Sequence, residues 1–475
     1  MIAAHTEADV RAAEQALMAQ VPPGALMQRA ATGLAVVCTR VLGRVTASRV
    51  VALVGAGDNG GDTLFAGARL AARGARVRAV LLDEAKVHAA GLGALRSAGG
   101  RVVAGEAAFE EIAAADVVLD GIVGIGGKPG LRPAAARLAQ AASTSRAVTV
   151  AVDLPSGVEV DTGRTPEPHV RAHVTVTFGT HKVCHLVDPA SAACGAVHMV
   201  DIGLAPLLPK ATVQRLEDAD VAALLPVPGR DDDKYRRGVL GVHAGAAEYA
   251  GASVLATRAA LHSGAGMVRV LGDAHVTREV RRACPEAVLA DGRVQASLAG
   301  PGMDPAQAGE VVPRLLDASV PVVLDAGALG AAGDLRDDVL LTPHAGELAR
   351  LLDLPRDTVE ADRLASVSQA AAQLGATVLL KGSTTLVATP DGRVRASGTG
   401  TPWLATAGSG DVLAGLAGAL LATGMSALDA GSVAAHVHGL AGSLAASRVG
   451  APAATDVLAA LPAALLALRL GESSA

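Results

Sequence analysis

Residues 49–62 read Arg-Val-Val-Ala-Leu-Val-Gly-Ala-Gly-Asp-Asn-Gly-Gly-Asp, and this run determines which fold class the chain can adopt. The apolar residues 49–54 predict a short buried strand, and the glycines that follow predict a tight turn. A helical pattern continues over about residues 64–72. A strand, a glycine-rich turn and a helix in this order form the first part of a βαβ unit, the building block of parallel sheets.

Further strand and helix patterns alternate along the rest of the chain. Strands are predicted at residues 77–82, 116–119, 148–152 and 174–178, and again at 238–243, 267–271, 320–325, 339–341 and 377–380. Pro390-Asp-Gly392 separates the short runs 384–388 and 393–396 and predicts a β-hairpin. Two long alanine-rich helical stretches close the chain. The sequence therefore predicts an α/β protein with mostly parallel sheets.

A change of composition near residue 203 indicates a domain boundary. The 475 residues exceed what one hydrophobic core usually supports. Prolines at 206, 209, 226 and 228 precede the charged run Arg230-Asp-Asp-Asp-Lys-Tyr-Arg-Arg237. We therefore expect one domain over residues 1–212 and another over residues 213–475.

Composition excludes several classes of protein. The 41 basic and 46 acidic residues give a formal net charge of −5, and aromatic residues make up 1% of the chain, so nucleic acid is not an expected partner. The four cysteines lack CxxC spacing and predict neither a disulfide framework nor a zinc site. The N-terminus shows no signal-peptide pattern, and the uncharged stretch 412–428 is interpreted as a buried helix rather than a membrane span. We expect a cytoplasmic protein with no membrane partner.

The first candidate site begins at the glycine-rich turn. Gly55-Ala-Gly-Asp-Asn-Gly60 fits GxGxxG, and Asp83 follows the next strand, an arrangement typical of dinucleotide-binding folds. Asp58 and Asp62 would repel a pyrophosphate at the helix N-terminus, which favours hydrogen bonds to sugar or nicotinamide groups. The alternative is a tight turn in which Asp62 only caps the following helix.

Other polar groups are expected at the same edge of the sheet. Asp120 and Asp153-Leu-Pro-Ser-Gly157 follow later strands, and parallel α/β folds bind ligands at the carboxyl ends of their strands. Gly124-Ile-Gly-Gly-Lys-Pro-Gly130 offers flexible backbone N–H groups and one cation, which suit phosphates. Each segment alone is explained by a turn, but together they favour a binding site.

The loop Asp58-Asn-Gly-Gly-Asp62, the Asp153 segment and Phe178-Gly-Thr-His-Lys182 resemble the N-terminal domain of the NAD(P)HX epimerases, over about residues 6–203. The resemblance implies a Rossmann-like three-layer αβα domain, and a potassium ion held by Asn59, Asp120 and Ser156. We take Asp153 as the candidate acid–base group, with Lys182 as a second candidate. Asp58 and Thr63 depart from the Asn and Gly usual in the family. The residues implied in binding the hydrated cofactor are Asp58, Asn59, Gly60, Gly61, Asp62, Gly124, Ile125, Gly126, Gly127, Lys128, Pro129, Gly130 and Asp153.

The second candidate site is Leu404-Ala-Thr-Ala-Gly-Ser-Gly-Asp411, which precedes a long predicted helix. Glycine N–H groups at a helix N-terminus form an anion hole for a phosphoryl group. Asp411 beside them could accept a proton from a substrate hydroxyl, as phosphoryl transfer requires. The alternative is a helix cap after a glycine turn, and the motif alone does not separate the two.

Further motifs accompany the second site. Leu380-Lys-Gly-Ser-Thr-Thr385 ends a strand with a cation and hydroxyls, Thr342-Pro-His-Ala-Gly-Glu347 places a histidine at a strand end, and Gly300-Pro-Gly302 permits close backbone approach. Tyr249-Ala-Gly-Ala252 opens another predicted helix. In this order the motifs are similar to those of the ADP- or ATP-dependent NAD(P)HX dehydratases, which have a ribokinase-like αβα fold, over about residues 231–456.

This second resemblance implies ligand contacts at named positions. Asp325-Ala-Gly327-Ala-Leu-Gly330 lacks the second Asp and the Asn usual in the family, so Asp411 is expected to carry more of the catalysis. Both domains in one chain resemble the bifunctional bacterial repair enzymes. The residues implied are Ala252, Gly302, His344 and Asp411 for the hydrated cofactor, and Lys381, Gly382, Ser383, Thr384, Thr385 and Gly410 for the nucleotide.

The expected function is the repair of hydrated NADH or NADPH. R- and S-NAD(P)HX would be interconverted, and the S epimer would be dehydrated to NAD(P)H with ADP and Mg²⁺, giving AMP and phosphate. NAD(P)HX and ADP are the expected ligands, and we expect a homo-oligomer; the residues do not separate ADP from ATP. Three alternatives stay open: a ribokinase-like vitamin or sugar kinase fused to a ligand-binding module, a non-enzymatic N-terminal module, and an NAD-dependent dehydrogenase.

Overall fold

The computed structural model describes residues 1–331, 333 and 335–471. Two compact units are present: Ala3–Val213 forms one, and the chain from Gln214 onward, with Met1–Ile2, forms the other. The division therefore falls one residue after the predicted border at residue 212.

The N-terminal unit is built on a seven-stranded parallel sheet. The sheet has the order β4-β3-β2-β5-β6-β7-β9, and β1 pairs in parallel with β8. The strands are β1 (Ile2–His5), β2 (Arg49–Val54), β3 (Arg76–Leu81), β4 (Arg101–Val103), β5 (Val117–Gly121), β6 (Val148–Val152), β7 (Val174–Phe178), β8 (His181–Lys182) and β9 (Ala196–Val200).

Helices cover both faces of this sheet because its strands are apolar on both sides. Along β2, Val50, Ala52 and Val54 pack into one hydrophobic cluster, whereas Val51 and Leu53 pack into another, as the alternation of side chains along a strand requires. The expected three-layer αβα architecture is confirmed. The helices are α1 (Glu7–Met18), α2 (Ala25–Leu42), α3 (Asp58–Ala72), α4 (Ala89–Ser97), α5 (Glu106–Ala113), α6 (Pro133–Thr144) and α7 (Ala190–Cys194).

The start of α3 corrects the sequence interpretation. The helix begins at Asp58, not near residue 64, and Gly57 is its N-cap with φ 83°. The glycines at 60 and 61 were interpreted as part of a turn, but they permit close packing. A Cβ on Gly60 would lie 2.3 Å from the Gly55 carbonyl oxygen, and one on Gly61 would lie 2.9 Å from the Met27 side chain. The alternative that Asp62 caps the helix is wrong because Asp62 lies inside it.

The C-terminal unit contains a second, mixed sheet. Its strands follow the order β12-β11-β13-β14-β15-β16-β17-β18. They are parallel through β16, and the last two pairings are antiparallel. The predicted hairpin is confirmed, with Thr385 opposite Ser397, whereas β13 was not predicted. The strands are β10 (Val213–Arg215), β11 (Val239–His243), β12 (Met267–Leu271), β13 (Ala296–Ala299), β14 (Val322–Leu324), β15 (Val339–Leu341), β16 (Thr377–Leu380), β17 (Thr385–Ala388) and β18 (Val394–Ser397).

Small residues let the helices of this unit approach closely. A Cβ on Gly415 would lie 2.2 Å from the Ala256 carbonyl oxygen, so α9 and α15 pack with almost no side chain between them, as expected of a chain with 1% aromatic residues. The helices are α8 (Asp218–Leu224), α9 (Ala250–His262), α10 (Ala274–Ala283), α11 (Pro305–Asp317), α12 (Ala345–Leu352), α13 (Arg356–Ala361), α14 (Arg363–Leu374), α15 (Ser409–Ala422), α16 (Ala427–Val449) and α17 (Ala454–Leu470).

The uncharged stretch 412–428 is not one helix. It divides between α15, which ends at Ala422, and α16, which begins at Ala427, so α15, α16 and α17 close the chain where two long helices were predicted. Within the described residues, no single helix has the length and apolar character needed to cross a membrane. The pair α16 and α17, bent by 113°, meets those criteria only when the two helices are taken together.

Candidate active sites

A polar cleft of about 1010 Å³ opens at the carboxyl ends of the strands of the N-terminal unit. Asp58, Asn59, Asp62, Asp153 and the loop 124–130 line it. Gly60 and Gly61 are buried in α3 and serve packing. The cleft brings together the glycine-rich turn, Asp153 and the loop 124–130, because parallel strands all end at one edge of their sheet, whereas Asp120 and Ser156 do not line it.

A buried lysine fixes the carboxylate of Asp153. The Lys182 ammonium donates to Asp153 Oδ1 at 2.5 Å, to Thr177 Oγ1 at 2.9 Å and to the Phe178 carbonyl oxygen at 3.1 Å. Thr177 Oγ1 also donates to Asp153 Oδ1 at 3.0 Å. Lys182 is only 1% exposed. Asp153 Oδ1 is therefore held by two donors, while the residue itself borders the cleft.

The backbone at Asp153 is held in an unusual conformation. Its φ is 71°, in the left-handed region that non-glycine residues seldom adopt. The His185 ring bonds the Asp153 carbonyl oxygen at 3.0 Å, and the Asp153 N–H donates to the Val176 carbonyl oxygen at 2.8 Å. Strain of this kind persists where the surroundings over-determine it, and it clusters at functional sites.

Two further carboxyl groups of the cleft, those of Asp62 and Glu14, have raised pKa values. Asp62 is 9% exposed, and its Oδ1 has no hydrogen-bond partner. Burial, with the nearby charges of Asp153, Asp58 and Glu14, raises the pKa of Asp62 well above its usual value. Burial likewise raises the pKa of Glu14, against the opposing charge of Lys182. Several acids thus gather around one ammonium in the cleft, and burial favours the protonated forms of Asp62 and Glu14.

Asp120 and Ser156 form a closed network below the cleft. Ser156 donates its hydroxyl to Asp120 Oδ1 at 2.7 Å and its N–H to Asp120 Oδ2 at 2.8 Å. The Val123 N–H donates to Ser156 Oγ at 3.0 Å. Burial raises the pKa of Asp120 to about 6 despite these bonds. Asn59 packs against Gly124, where a Cβ would lie 3.2 Å from the Asn59 Cβ, and Asn59 Nδ2 is buried without a partner.

The loop 124–130 is shaped by its own backbone. The Gly127 N–H donates to the Gly124 carbonyl oxygen at 3.0 Å, and the Gly130 N–H donates to the Gly157 carbonyl oxygen at 2.8 Å. Lys128 is exposed at the rim of the cleft. The loop therefore places a cation at the rim of the cleft, while its Gly127 and Gly130 N–H groups are occupied by carbonyl oxygens.

Thr63, which departs from the resembled family, has a structural partner. Its hydroxyl donates to the Asn59 carbonyl oxygen at 2.7 Å, and a Cβ on Gly121 would lie 1.9 Å from Thr63 Oγ1. The threonine therefore fits here only because residue 121 is glycine.

In the C-terminal unit the glycine-rich motif forms the start of α15. Gly408 is the N-cap with φ 88°, and Asp411 lies in the first turn. The first N–H groups of a helix have no carbonyl partner within it, so they are available to an anion. The alternative of Asp411 as the helix cap is wrong, since Gly408 occupies that position.

A charged network faces this helix start from the neighbouring strand ends. Lys381 Nζ donates to Asp325 Oδ1 at 2.8 Å and lies 3.8 Å from Glu347 Oε2. Thr342 Oγ1 donates to the same Asp325 oxygen at 2.8 Å. Burial works to lower the pKa of Lys381, but Asp325, Glu347 and Asp411 outweigh it and leave that pKa raised. Lys381 therefore remains a cation in a mostly buried position.

Asp411 has the properties of a base poised near neutral pH. Burial raises its pKa to about 6; Asp325 raises it further and Lys381 lowers it. Asp411 is therefore ionised above about pH 6 yet basic enough to accept a proton, which is the match that general base catalysis needs.

The predicted cofactor-contacting residues of this unit fall into two groups. A Cβ on Gly302 would lie 2.8 Å from the Ala252 Cβ and 2.8 Å from the Tyr249 carbonyl oxygen, so these positions meet. His344 stands at the N-terminus of α12, where Nδ1 accepts the Gly346 and Glu347 N–H groups. Its backbone forms a bridge with Lys381, which places it beside the charged network.

A buried arginine shapes the loop of the predicted nucleotide contacts, residues 381–385. Arg363 Nη2 donates to the carbonyl oxygens of Leu380, Lys381 and Thr384 at 3.3, 3.1 and 3.2 Å. A Cβ on Gly382 would lie 2.3 Å from this guanidinium nitrogen. Gly382 and Ser383 are exposed and Thr385 is half-buried, so the loop presents them to a ligand.

Sequence reasoning missed several residues of these sites. Asp325 directly follows a strand, as Asp153 does, but it was quoted only as the start of a motif and was given no role. Glu347 belonged to a quoted motif without being given a role. Glu14, Thr177 and Arg363 lie within ordinary helix and strand patterns, where no local signal marks them.

The two sites define a two-domain α/β enzyme with a separate small-molecule site in each half. Residues 240–463 match the family model described as NAD(P)H-hydrate dehydratase, and residues 23–184 match that of the YjeF-related protein N-terminus. A bifunctional NAD(P)H-hydrate repair enzyme Nnr from Mycobacterium leprae is 46% identical over 464 residues, which cover 94% of each chain. One from Mycobacterium tuberculosis is 47% identical over 434 residues, covering 88% of each chain.

A solved structure also resembles the C-terminal half. It is the ADP/ATP-dependent NAD(P)H-hydrate dehydratase of Bacillus subtilis co-crystallised with ATP and Mg²⁺, with 28% sequence identity and a TM-score of 0.51. The alignment covers 54% of this chain and 99% of that one. The chain belongs to the family of bifunctional NAD(P)H-hydrate repair enzymes.

Proposed function

We propose that this chain repairs hydrated nicotinamide cofactors with two activities. The N-terminal domain, residues 1–212, interconverts R- and S-NAD(P)HX, and the C-terminal domain, residues 213–475, dehydrates the S epimer at the expense of ADP. The observation that carries the proposal is Asp411 at the glycine-capped start of α15, beside the Lys381 cation, in a chain with a second acidic cleft around Asp153.

Epimerisation needs a group that removes and returns one proton. The hydroxylated ring carbon of NAD(P)HX is also bonded to the ring nitrogen, so it is a hemiaminal. Removing the hydroxyl proton lets the carbon–nitrogen bond break: the oxygen becomes an aldehyde, and the electron pair of the broken bond goes to the ring nitrogen, where conjugation with the carboxamide stabilises it. The aldehyde then rotates, and the nitrogen pair closes on its other face. Asp153 accepts and returns this proton. Lys182 and Thr177 hold Oδ1 and leave Oδ2 for the substrate.

The rest of the cleft binds the cofactor. Burial and the nearby carboxylates raise the pKa of Asp62, which favours its protonated form, and in that form Asp62 can donate a hydrogen bond to a sugar or amide oxygen. The loop 124–130 and Lys128 take the phosphates, where N–H groups and a cation suit them.

A potassium ion fits the network below the cleft. Asp120 supplies a buried carboxylate, Ser156 a hydroxyl oxygen, and Asn59 an amide whose unpartnered buried end becomes an oxygen when the amide is turned over. Hard oxygen donors suit a hard monovalent cation. Bound there, potassium would neutralise Asp120 and hold α3 against the loop 124–130.

Dehydration proceeds by phosphorylation of the cofactor hydroxyl. Asp411 takes the hydroxyl proton while the terminal phosphoryl group of ADP moves to that oxygen and AMP departs. The N–H groups at the start of α15 and the Lys381 ammonium bind the phosphoryl oxygens. Phosphate then leaves as the ring nitrogen lone pair forms an iminium, and loss of the neighbouring proton restores NAD(P)H. Mg²⁺ bound with the nucleotide would supply charge neutralisation for the phosphates that Lys381 and the N–H groups of α15 contact.

The test is recovery of reduced-nicotinamide absorbance when the full chain is incubated with NADHX, ADP and Mg²⁺. We expect recovery, with a rate that falls as the pH drops through about 6, since the pKa of Asp411 is raised to about 6 and protonation removes the base. Asp411→Asn should lower the rate by about 10²–10⁴-fold. A folded chain that gives no NADH would contradict the dehydratase assignment.

The products separate this function from the alternative of a ribokinase-like kinase. A kinase accumulates a stable phosphorylated compound, which mass spectrometry detects, whereas the repair reaction releases inorganic phosphate. We also propose that the protein acts in the cytoplasm and that it forms a homo-oligomer. Light scattering would measure the size of that oligomer.

A further inference from the structure

A buried ion pair stands between the ends of three strands of the C-terminal unit. Asp325 follows β14 and Lys381 follows β16, and their side chains meet at 2.8 Å. Thr342, which follows the intervening strand β15, donates its hydroxyl to the same Asp325 oxygen at 2.8 Å. Asp325 is 2% exposed, so it has little contact with solvent. Because each of these residues directly follows a strand, the pairing of β14, β15 and β16 fixes the position of the ion pair.

The lysine of this pair reaches the phosphoryl-binding helix. A Cβ on Gly410 would lie 3.5 Å from Lys381 Nζ, so the ammonium lies against the first turn of α15. Glu347 approaches the same ammonium at 3.8 Å. Asp411 follows Gly410 directly. The two carboxylates, Asp325 and Asp411, are thus placed around one cation.

We propose that Asp325 is a positioning residue that holds the Lys381 ammonium at the start of α15 and, with it, sets the protonation state of Asp411. This inference rests on the proposed function in its assignment of Asp411 as the base. Nothing in the comparisons or in the sequence motifs gives Asp325 this role.

The physical reason is competition for the ammonium. Without Asp325, Lys381 would pair directly with Asp411, which would stabilise the ionised carboxylate and weaken it as a base. With Asp325 in place, the cation stays between the two acids. Lys381 then keeps N–H groups for the transferred phosphoryl group, and Asp411 keeps its basicity.

The other titratable groups around Asp411 do not oppose this. His438 of α16 contacts Ser409, and burial lowers its pKa to about 4, so it is neutral near pH 7. Burial also lowers the pKa of His243, at the end of β11, to about 4. Asp456, in the first turn of α17, accepts the Ala453 N–H, and Glu347 faces Lys381. The charges that act on the pKa of Asp411 are those of Asp325 and Lys381.

The test compares Asp325→Asn and Lys381→Met in the full chain, by the pH dependence of single-turnover NADHX dehydration with ADP and Mg²⁺. Asp325→Asn removes the negative charge. It should shift the acidic limb of the pH–rate profile to lower pH by about one unit and reduce the plateau rate at least about tenfold. Removing the positive charge should shift the limb to higher pH. Thr342→Val, which keeps both charges, should give a smaller shift in the same direction as Asp325→Asn.

Controls separate this role from a loss of structure. Glu360→Gln removes an exposed carboxylate of the same unit that pairs with Arg356 at 2.8 Å, and it should leave the limb in place. Epimerisation by each variant reports an intact N-terminal domain, and circular dichroism reports folding of the whole chain. Slower variants with an unshifted limb, or shifts in the same direction for Asp325→Asn and Lys381→Met, would overturn the proposal.

A measurement without turnover keeps the two proposals distinguishable. Carbon NMR of carboxyl-labelled aspartate, assigned with Asp411→Asn, follows the pKa of Asp411 in the wild type and in both variants. We expect the same opposed shifts. Opposed shifts in an inactive wild type would contradict the proposed function alone, whereas an active wild type with unshifted variants would contradict the role of Asp325 alone.

Discussion

At the scale of single residues, each unit places a buried lysine against a strand-end aspartate. Lys182 holds Asp153 at 2.5 Å, and Lys381 holds Asp325 at 2.8 Å. Burying two charges costs desolvation free energy that their attraction often fails to recover, so such pairs are poor devices for stability alone. They fix where a carboxylate and a cation stand, which is what proton and phosphoryl transfer require.

Replacing Lys182 with methionine removes the ammonium group but keeps much of the apolar side-chain volume. The substitution therefore tests the charge of Lys182 separately from its packing. The variant leaves Asp153 buried without its cation, so the free energy of unfolding should fall by about 3–5 kcal/mol, and epimerisation of NADHX should be lost. Urea denaturation followed by circular dichroism measures the first effect, and chiral separation of the epimers measures the second.

The matched control is Lys210→Met, at an exposed lysine of the same unit. It should change stability by less than about 0.5 kcal/mol and leave epimerisation unchanged. An equally active Lys182→Met variant would show that Asp153 needs no cation for the reaction.

At the scale of elements, some glycines of this protein lie inside helices and permit close packing. Gly60 and Gly61 continue α3, and Gly415 brings α15 against the backbone of α9. In the N-terminal unit, α3 carries Asp58 and Asn59. In the C-terminal unit, α9 carries Ala252 and α15 carries Asp411. The distance between two helix backbones therefore sets where site residues stand.

Gly415→Ala should destabilise the C-terminal unit, because the new Cβ would lie 2.2 Å from the Ala256 carbonyl oxygen. Overpacking of this kind costs about 1–3 kcal/mol. We also expect a higher KM for NADHX in dehydration, since α9 carries Ala252. Denaturant unfolding and steady-state kinetics check the two effects.

Gly309→Ala is the matched control, since this glycine lies within α11 and a Cβ there meets no atom within 4 Å. It should raise stability by about 0.5–1 kcal/mol because alanine loses less backbone entropy in a helix. Equal destabilisation by both substitutions would show that helix contact at Gly415 is not the cause.

At the scale of the whole molecule, two complete sites of different chemistry belong to one chain. One contains a cleft lined by several carboxylates, and the other a glycine-capped helix start beside Asp411. Under the proposed function only the S epimer is dehydrated, so the first activity would supply the substrate of the second. We therefore expect the chain to convert both epimers completely to NADH.

Asp153→Asn in the full chain tests this coupling. With an equimolar mixture of the two NADHX epimers and excess ADP, we expect rapid recovery of only the S half of the NADH absorbance, followed by a phase slower by about 10²-fold or more. The wild type should recover the whole amount in one phase. Complete, rapid recovery by the variant would show that Asp153 is not the acid–base group.

Much of the fold was predictable because it depends on local patterns. The strand at Arg49–Val54 and the hairpin around Pro390 follow from short-range hydrophobic and turn signals, and both are present. The start of α3 was misplaced because a glycine pair has the same local signature in a turn and in a close helix contact. Local sequence preference does not decide between a turn and a helix at Gly60 and Gly61. The close contacts of these glycines with Gly55 and Met27 decide it.

The amino-acid order determined the α/β alternation and placed Asp153, Asp411 and the glycine-rich segments at strand ends and helix starts, since these depend on residues close together in the chain. Only the tertiary structure decided which charges meet. Lys182 and Asp153 are 29 residues apart, and Lys381 and Asp325 are 56 residues apart. Ion pairing, burial and the resulting pKa shifts depend on distance through space and on the exclusion of water, which arise when the strands align in their sheet.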